Sequence, residues 1–542
     1  MKKTILSIAL FTLFNVNTMA QWQDDVKENL LISKEHVGSS FSKTSNDGRT
    51  YIAFWDNIDT GNYFELRFQI LDKDGRKMLG DNGIKVSDKI PMNSYTFIEN
   101  MAIDQNNNAY LGVTGTGAGN PGFVFKIGPE GDLLWGEEGV NLGEGLLPTI
   151  LPLSSGDVIV SYWPSSKTTT EVQKISKDGK FVWEKPVKIL SDDSSKQTVP
   201  ADLFELSNGE IQLIFHKILG RGTTSTMFMQ RLKNDGSLQY EKPILIADQT
   251  TAYNRRNTYF FENDNLFLGY SSGMNGRFDG YLIKINADGT LPWGVNGVDF
   301  DTKKTSFEKE MKIASEKGVS HIWAIADYVD PKNLDGTKAI FIQKFSKDTG
   351  ERIFTDDAKE IIKGTYHNGD LQVYKDQPFF LINDAVPGTE FQELSAILLS
   401  NKAEFVWEEK SKKVAASYGF KHHIQLNKPA HGQIVLLFQE VRNAIGDNST
   451  FAQNIILEKE NLSIQDMDEE KKSMIYPNPT KDVIYTTREY KNANYQLMNT
   501  LGHVLKKGTF SKQINLREFK SGVYFLQIEA EGRITNFKVV KL

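Results

Sequence analysis

The feature that most constrains this chain is a sequence unit that returns eight times between residues 28 and 460. Each unit reads as an inner strand, a turn, a second strand, a loop, a third strand, a second turn and an outer strand. The first turns lie 48 to 60 residues apart, at Gly48, Asn108, Gly156, Gly209, Asn265, Gly318, Gln377 and Gly432. Four strands repeated at this period predict an all-β fold, an eight-bladed β-propeller.

The second turn of each unit predicts how neighbouring units pack. These turns fall at Gly75, Gly131, Gly179, Gly236, Gly289, Gly350 and Ala403. The residues four positions later are Leu79, Trp135, Trp183, Tyr240, Trp293, Phe354 and Trp407. Because a large apolar side chain recurs at one offset from the turn, we expect it to pack between adjacent units. The alternative is that the aromatic rings bind sugars.

Two of these turns also resemble calcium-binding loops. They are Asp72-Lys73-Asp74-Gly75 and Ser176-Lys177-Asp178-Gly179. A calcium loop needs oxygen ligands at several alternate positions, whereas strand follows these turns at once. We therefore interpret them as Asp-Gly hairpin turns, in which glycine accepts a positive φ.

The two ends of the repeat region complement each other. Seven units end in an outer strand. The third strand of the eighth unit, Phe451 to Leu457, runs directly into a charged segment with no outer strand after it. Near the start of the chain there is one further strand, Leu30-Leu31-Ile32, which has no inner strand of its own to pair with. We expect this N-terminal strand to close the last blade and remove two exposed sheet edges. Since the chain has no cysteine, this closure takes the place of disulfides.

The first 20 residues predict a secretory signal peptide. Lys2 and Lys3 precede an apolar run from Ile5 to Phe14, and Thr18-Met19-Ala20 forms a cleavage site. A membrane anchor is the alternative, but the apolar run is about half the ~20 residues that a span needs. We expect no membrane span in the mature protein.

The end of the chain differs from the repeats. It contains Tyr476-Pro477-Asn478-Pro479, a Gly522-Val523-Tyr524 strand and a terminal Lys538-Val539-Val540-Lys541. In this order at the C-terminus, these pieces resemble the C-terminal sorting domain of the type IX secretion system of Bacteroidetes. The resemblance implies a small β-sandwich over 474–542 that is removed after export, with the secretion machinery as its partner. An ordinary β-sandwich binding module is the alternative.

The predicted organisation is therefore a signal peptide (1–20), a propeller (21–462), a linker (463–473) and the sorting domain (474–542). A formal net charge of −6 gives no overall basic field, so nucleic acid is not expected as a partner. We expect a monomer that is secreted or attached to the cell surface.

Candidate site residues gather on one face of the predicted ring. In a propeller, the loop inside each blade and the crossing between blades emerge opposite the turns, and ligands bind there. The residues expected on this face include His216, Tyr253, Arg255, Arg256, Asn257, Arg277, Tyr328, Tyr366, His367, Lys421, His422 and His423. Such a face suits an anionic ligand, because Arg pairs with carboxylate or sulfate. These polar residues could equally well solvate a loop surface.

The first functional hypothesis is a polysaccharide lyase. The body resembles the propeller-fold ulvan lyases of marine bacteria in architecture and residue type, which implies β-elimination on a sulfated, uronate-containing polymer. His422, His423 or His367 would transfer protons with Tyr253, Tyr328 or Tyr366. Arg255 and Arg256 would clamp the carboxylate, and His216, Lys421, Asn257 and Arg277 would help to bind the substrate. This chemistry requires no cofactor, and a structural or substrate-bridging divalent ion stays open.

The second hypothesis is a non-catalytic surface propeller that binds glycan or protein through the same face. The sequence contains no Gly-x-Ser-x-Gly elbow, no His-Glu-x-x-His helix and no phosphate-binding glycine loop. A glycosidase carboxylate pair is not defined by spacing either.

Overall fold

The structure is a computed structural model. It describes residues 22, 25–33, 37–59, 63–93, 95–164, 166, 168–191, 193, 195–219, 225–248, 257–273, 277–303, 305, 307–386, 389, 391–442, 448–457, 475–486, 493–500, 503–510, 512–530 and 533–542. The predicted signal peptide and the predicted linker lie outside these residues. The chain divides into two compact units between Glu458 and Lys459.

The first unit consists of strands grouped four to a sheet. After β1 (Leu30–Ser33), the strands of blades one to four are β2 (Val37–Thr44), β3 (Thr50–Asp59), β4 (Tyr63–Leu71), β5 (Ile84–Ser87), β6 (Phe97–Ile103), β7 (Ala109–Thr114), β8 (Pro121–Ile127), β9 (Val140–Glu144), β10 (Leu146–Pro152), β11 (Val158–Trp163), β12 (Thr170–Ile175), β13 (Val187–Ile189), β14 (Gln197–Glu205), β15 (Ile211–Ile218), β16 (Ser225–Leu232) and β17 (Ile244–Ala247). The strands of blades five to eight are β18 (Thr258–Glu262), β19 (Asn265–Ser272), β20 (Asp279–Ile285), β21 (Val298–Asp299), β22 (Phe307–Ala314), β23 (His321–Asp330), β24 (Asn333–Ser346), β25 (Lys359–Lys363), β26 (His367–Tyr374), β27 (Gln377–Ala385), β28 (Gln392–Leu398), β29 (Lys412–Ala415), β30 (Phe420–Leu426), β31 (Gln433–Val441) and β32 (Asn448–Ile456).

Each of the first seven blades is an antiparallel meander of four consecutive strands. The eighth has the order β1-β32-β31-β30, so its outer strand comes from the N-terminus. Leu30 lies opposite Ala452, and Leu31 opposite Phe451. On the other side, Ser42 of blade one donates its backbone N–H to Gln425 Oε1 of blade eight at 2.8 Å. The predicted eight-bladed ring, closed by the N-terminal strand, is confirmed.

Packing between blades explains why the middle strands lack a polar face. Every residue of β7, β11 and β15 is buried. Each blade is covered by a neighbour on both sides, so both faces of these strands lie in apolar clusters. One such cluster joins Leu66 and Phe68 of blade one to Leu111 and Phe125 of blade two. Burying a side chain of this size stabilises the fold by about 1.5–3 kcal/mol.

The large apolar residue after the second turn of blades one to five packs on the corresponding turn of the next blade. A Cβ placed on Gly179 would lie 3.1 Å from the Trp135 ring, and Trp135 Nε1 donates to the Lys177 carbonyl at 3.0 Å. Gly179 has a φ of 79°, so glycine is suited to this turn both by conformation and by space. The predicted packing position is therefore present in the structure.

Trp22 occupies the equivalent position on blade one. Its ring lies over Gly75, and its Nε1 donates to the Lys73 carbonyl at 3.0 Å. The N-terminal segment thus supplies blade eight with an interblade tryptophan as well as an outer strand.

The second unit contains β33 (Ile475–Tyr476), β34 (Val483–Thr486), β35 (Asn494–Met498), β36 (Val504–Thr509), β37 (Gln513–Asn515), β38 (Gly522–Ala530) and β39 (Arg533–Lys541). They form one sheet of order β33-β34-β37 and another of order β36-β35-β38-β39. Ile484 and Ile514 of the first sheet share a core with Leu526 and Val539 of the second. None of the described residues forms a helix of the length and apolarity needed to cross a membrane.

Candidate active site in the central channel

A channel of about 900 Å³ runs between the inner strands of the propeller. Seven inner strands contribute to its wall, because the first strand of each blade faces the axis of the ring. We call this space the central channel. Its charged lining residues are Lys43, Asp202, Glu310, Lys312, Asp327, His367, Asp370 and Lys428. The channel wall is thus much more polar than the interblade cores.

Bulges in the inner strands bring some of these side chains into the channel. The pairing register shifts between Lys309 and Lys312 in β22 and between Asn368 and Gln372 in β26. Such bulges change the direction of side chains and are common beside active sites. Glu310, at the bulge of β22, has a φ of 52°, which is a strained value for a residue other than glycine. It lines the channel.

His367 forms a pair with Asp327 in the channel wall. His367 is the first residue of β26 in blade seven, and Asp327 lies in β23 of blade six. The Asp327 Oδ1 atom accepts hydrogen bonds from His367 Nδ1 at 2.9 Å and from its backbone N–H at 3.1 Å. Because the carboxylate accepts from Nδ1, the other ring nitrogen, Nε2, is the one suited to proton transfer.

Tyr366 lines the same part of the channel as His367. Its side chain is 37% exposed, and its hydroxyl donates to Gln392 Oε1 of blade seven at 2.9 Å. Tyr366, His367 and Asp327 thus all line the central channel, and His367 and Asp327 are in direct contact there.

His422 and His423 lie in β30 of the neighbouring blade, with ring centroids 4.8 Å apart. His422 Nε2 donates to Asn448 Oδ1 at 3.0 Å, and His423 Nδ1 donates to Gln439 Oε1 at 2.6 Å. Burial, and then the proximity of His423, lower the pKa of His422. The lowered pKa favours the neutral form of the His422 imidazole.

Lys421 has an internal role in the same blade. Its ammonium group is buried and forms an ion pair with Glu440 at 3.0 Å, and it also donates to the Ser417 carbonyl at 2.7 Å. Glu440 is fully buried and pairs with Arg442 as well. Lys421 is thus held by protein groups, and we do not include it in the proposed site.

His216 and Asn257 lie apart from the His367 pair, at the contact of blades four and five. His216 is buried, its Nδ1 bonds to Ser225 Oγ at 2.8 Å, and burial lowers its pKa to about 4. The Asn257 amide contacts Met227 Sδ at 3.4 Å. Asn257 thus contacts the preceding blade, whereas His216 bonds within blade four and its buried Nε2 has no hydrogen-bond partner among the described residues.

Tyr328 and Arg277 lie together at the contact of blades five and six. Tyr328 is buried, stacks on Phe341 at 3.8 Å and donates its hydroxyl to Asp301. Arg277 forms an ion pair with Asp279 at 2.6 Å. Close by, Asp299, Asp301 and Glu308 form a carboxylate cluster with the spacing of metal ligands.

The remaining predicted site residues, Tyr253, Arg255 and Arg256, lie outside the described residues. Asp327 was not among the residues predicted from the sequence. Its signal was a carboxylate in the buried middle of the strand His321–Asp330, since a buried charge requires a partner. An aromatic rim was not predicted either; it is formed by Tyr95, Phe97, Tyr418 and Phe420, whose exposed fractions are 73%, 50%, 62% and 60%.

Residues 474–541 match the family model of the secretion system C-terminal sorting domain. The type IX sorting domain predicted from the tail motifs is therefore confirmed. The protein is exported across the outer membrane, to the cell surface or the medium. No curated protein matches the sequence.

Three solved structures illustrate what the chain is similar to. An ulvan lyase of polysaccharide lyase family PL25, bound to -[GlcA(1-4)Rha3S]-, is 12% identical with a TM-score of 0.42, covering 79% of this chain and 96% of that chain. An α-L-arabinanase from Penicillium chrysogenum is 11% identical with a TM-score of 0.32, covering 58% and 93%. Prolyl oligopeptidase B from Galerina marginata is 10% identical with a TM-score of 0.41, covering 77% and 56%. These enzymes catalyse different reactions, and similarity this weak does not indicate the reaction of this chain.

Proposed function

We propose that the propeller is a polysaccharide lyase that cleaves an anionic, uronate-containing polymer, ulvan-like and sulfated, by β-elimination. The observation that carries this proposal is the His367–Asp327 pair in the wall of the central channel, beside the partly exposed Tyr366. His367 and Asp327 are only 5% and 4% exposed, so in this proposal the substrate reaches them through the central channel that they line.

The proposed reaction uses proton transfers that these side chains can perform. A base removes the proton from the carbon beside the uronate carboxylate, the bond to the glycosidic oxygen breaks, and an acid protonates the departing oxygen. A carbon–carbon double bond remains in the product. His367 and Tyr366 would share the roles of base and acid, with Asp327 orienting the imidazole.

The channel wall contains three lysines among four carboxylates, and in this proposal the lysines contact the anionic substrate. Lys312 lies in the wall, 3.7 Å from Asp370, and a cation near the reacting carbon would stabilise the negative charge that develops on the uronate. Arg255 and Arg256 stay predictions for the same role.

The aromatic rim supports a glycan ligand. Tyr95 and Phe97 precede or begin the inner strand of blade two, and Tyr418 and Phe420 do the same for blade eight. Exposed aromatic rings at such loop positions can stack on sugar rings. The rim also favours the second candidate function, a non-catalytic glycan-binding propeller, because binding would need the rim and no proton transfer.

Incubation of the mature chain with ulvan and other uronate polymers tests the proposal. We expect the ultraviolet absorbance of the unsaturated product to rise with time. Affinity electrophoresis on the same polymers measures binding separately. Binding without product on every polymer would reject the lyase and leave the glycan-binding function.

A further inference from the structure

Three carboxylates converge at the contact of blades five and six. Asp299 ends β21, Asp301 follows it, and Glu308 lies in β22, the inner strand of the next blade. One carboxylate oxygen from each of the three lies within 4.8 Å of the others. The cluster thus joins the end of one blade to the start of the next.

Glu308 is the member of this cluster that requires an explanation. Its side chain is fully buried, with 0% exposed, and neither carboxylate oxygen receives a hydrogen bond from any group in the described part of the chain. It faces the carboxyl group of Asp279, which is also an acceptor. A buried carboxylate without a donor is strongly destabilising unless it takes up a proton or a cation.

The neighbouring cation and hydroxyl group contact other carboxylates and not Glu308. Arg277 is paired with Asp279 at 2.6 Å, and Tyr328 donates to Asp301. Burial and the surrounding carboxylates raise the pKa of Glu308 to about 9, and burial raises the pKa of Asp301 to about 6. Both Glu308 oxygens thus stay without a hydrogen-bond donor in the described part of the chain, beside the carboxylates of Asp299 and Asp301.

We propose that Asp299, Asp301 and Glu308 bind one divalent cation, Ca²⁺, which joins blades five and six. All three ligands are carboxylate oxygens, which suit a hard cation, and none is the nitrogen or sulfur ligand that zinc sites favour. Ca²⁺ accepts flexible oxygen geometry, whereas Mg²⁺ demands a near-ideal octahedron.

Thermal unfolding of the mature chain tests this site. After chelator treatment and removal of the chelator, 1 mM CaCl₂ is expected to raise Tm by roughly 2–5 °C. Glu308→Gln keeps the shape of the side chain and removes its charge, and we expect it to abolish this shift. The matched control is Asp74→Asn in an exposed Asp-Gly turn, which should keep the full shift.

Two further measurements keep the test decisive. Elemental analysis of the chelated chain, dialysed against Ca²⁺, should show one more bound ion per chain in the wild type than in Glu308→Gln. Asp299→Asn provides a second variant if Glu308→Gln does not fold, and it should weaken Ca²⁺ binding at least ~10-fold. A wild-type Tm that is insensitive to Ca²⁺, or an equal shift in wild type and Glu308→Gln, would overturn the proposal.

Discussion

Asp327 of blade six holds His367 of blade seven at both its backbone N–H and its Nδ1 atom, at 3.1 and 2.9 Å. The same two blades are tied at the opposite face of the ring by His321 Nε2 and Asp376 Oδ1, 2.6 Å apart. The first pair lines the central channel, and the second lies at the turn that contains Asp376. Variants of the two pairs can therefore distinguish a catalytic role from a purely structural contact between blades.

Asp327→Asn should remove most of the lyase activity. The asparagine fits the same space but cannot stabilise the Nδ1–H tautomer of His367 as a carboxylate does, so we expect the rate to fall at least ~100-fold. Absorbance of the unsaturated product measures the loss.

Asp376→Asn is the control for that experiment, since it changes a His–Asp pair of the same two blades outside the proposed site. Each variant should lose about 1.5–3 kcal/mol of stability, measured by urea unfolding, because each weakens a hydrogen bond to a charged group. Equal losses of activity in the two variants would show that the His367 pair acts only through stability.

Ile32→Ala should open the ring. Ile32 is 1% exposed within β1, which closes blade eight, so its truncation is expected to cost about 2–5 kcal/mol in the free energy of unfolding. Leu31→Ala, in the same strand, alters a side chain that is 37% exposed and should cost less than about 1 kcal/mol. Denaturant midpoints measure both, and similar losses would contradict the closure.

Trp22→Ala should destabilise the contact between blades eight and one. It removes the ring over Gly75 and the 3.0 Å bond to the Lys73 carbonyl, with an expected cost of roughly 2–4 kcal/mol. Trp22→Phe keeps a ring and loses only the N–H donor, so it should cost about 1 kcal/mol. If Trp22→Ala leaves Tm unchanged, Trp22 does not contribute to ring closure.

Glu308 predicts an unusual pH dependence of stability when divalent cations are removed. Its pKa rises from 4.5 to about 9 on folding, so between these values the folded state binds more protons than the unfolded state. Stability contributed by the protonated form is complete below pH 4.5 and is lost as the pH rises towards 9. Urea unfolding across this range should show a decline that Glu308→Gln reduces. A wild-type profile that rises from pH 6 to pH 9 would contradict this prediction.

Much of the propeller was predictable from local pattern. Turn residues such as Gly179, alternating strands and the spare segment Leu30-Leu31-Ile32 are readable along the chain, because each depends on its immediate neighbours or on a simple count of strands. The tail motifs, such as Tyr476-Pro477-Asn478-Pro479, identified the sorting domain for the same reason.

The candidate site was predicted only in part. His367 and Tyr366 both line the central channel, and their roles stay predictions. Nothing in the sequence pairs His367 with Asp327, which is 40 residues away. The roles proposed for His422 and His423 stay predictions, and their bonds to Asn448 and Gln439 show how blade eight positions them.

The number of blades, the closure of the ring and the export tail follow from the order of residues, since strand period and turn chemistry act over short distances. The partner of His367, the position of Trp22 over Gly75 and the convergence of Glu308 with Asp299 and Asp301 arise only when blades pack side by side. Burial at those contacts removes water from polar groups, and the folded neighbours alone determine which partner each group then has.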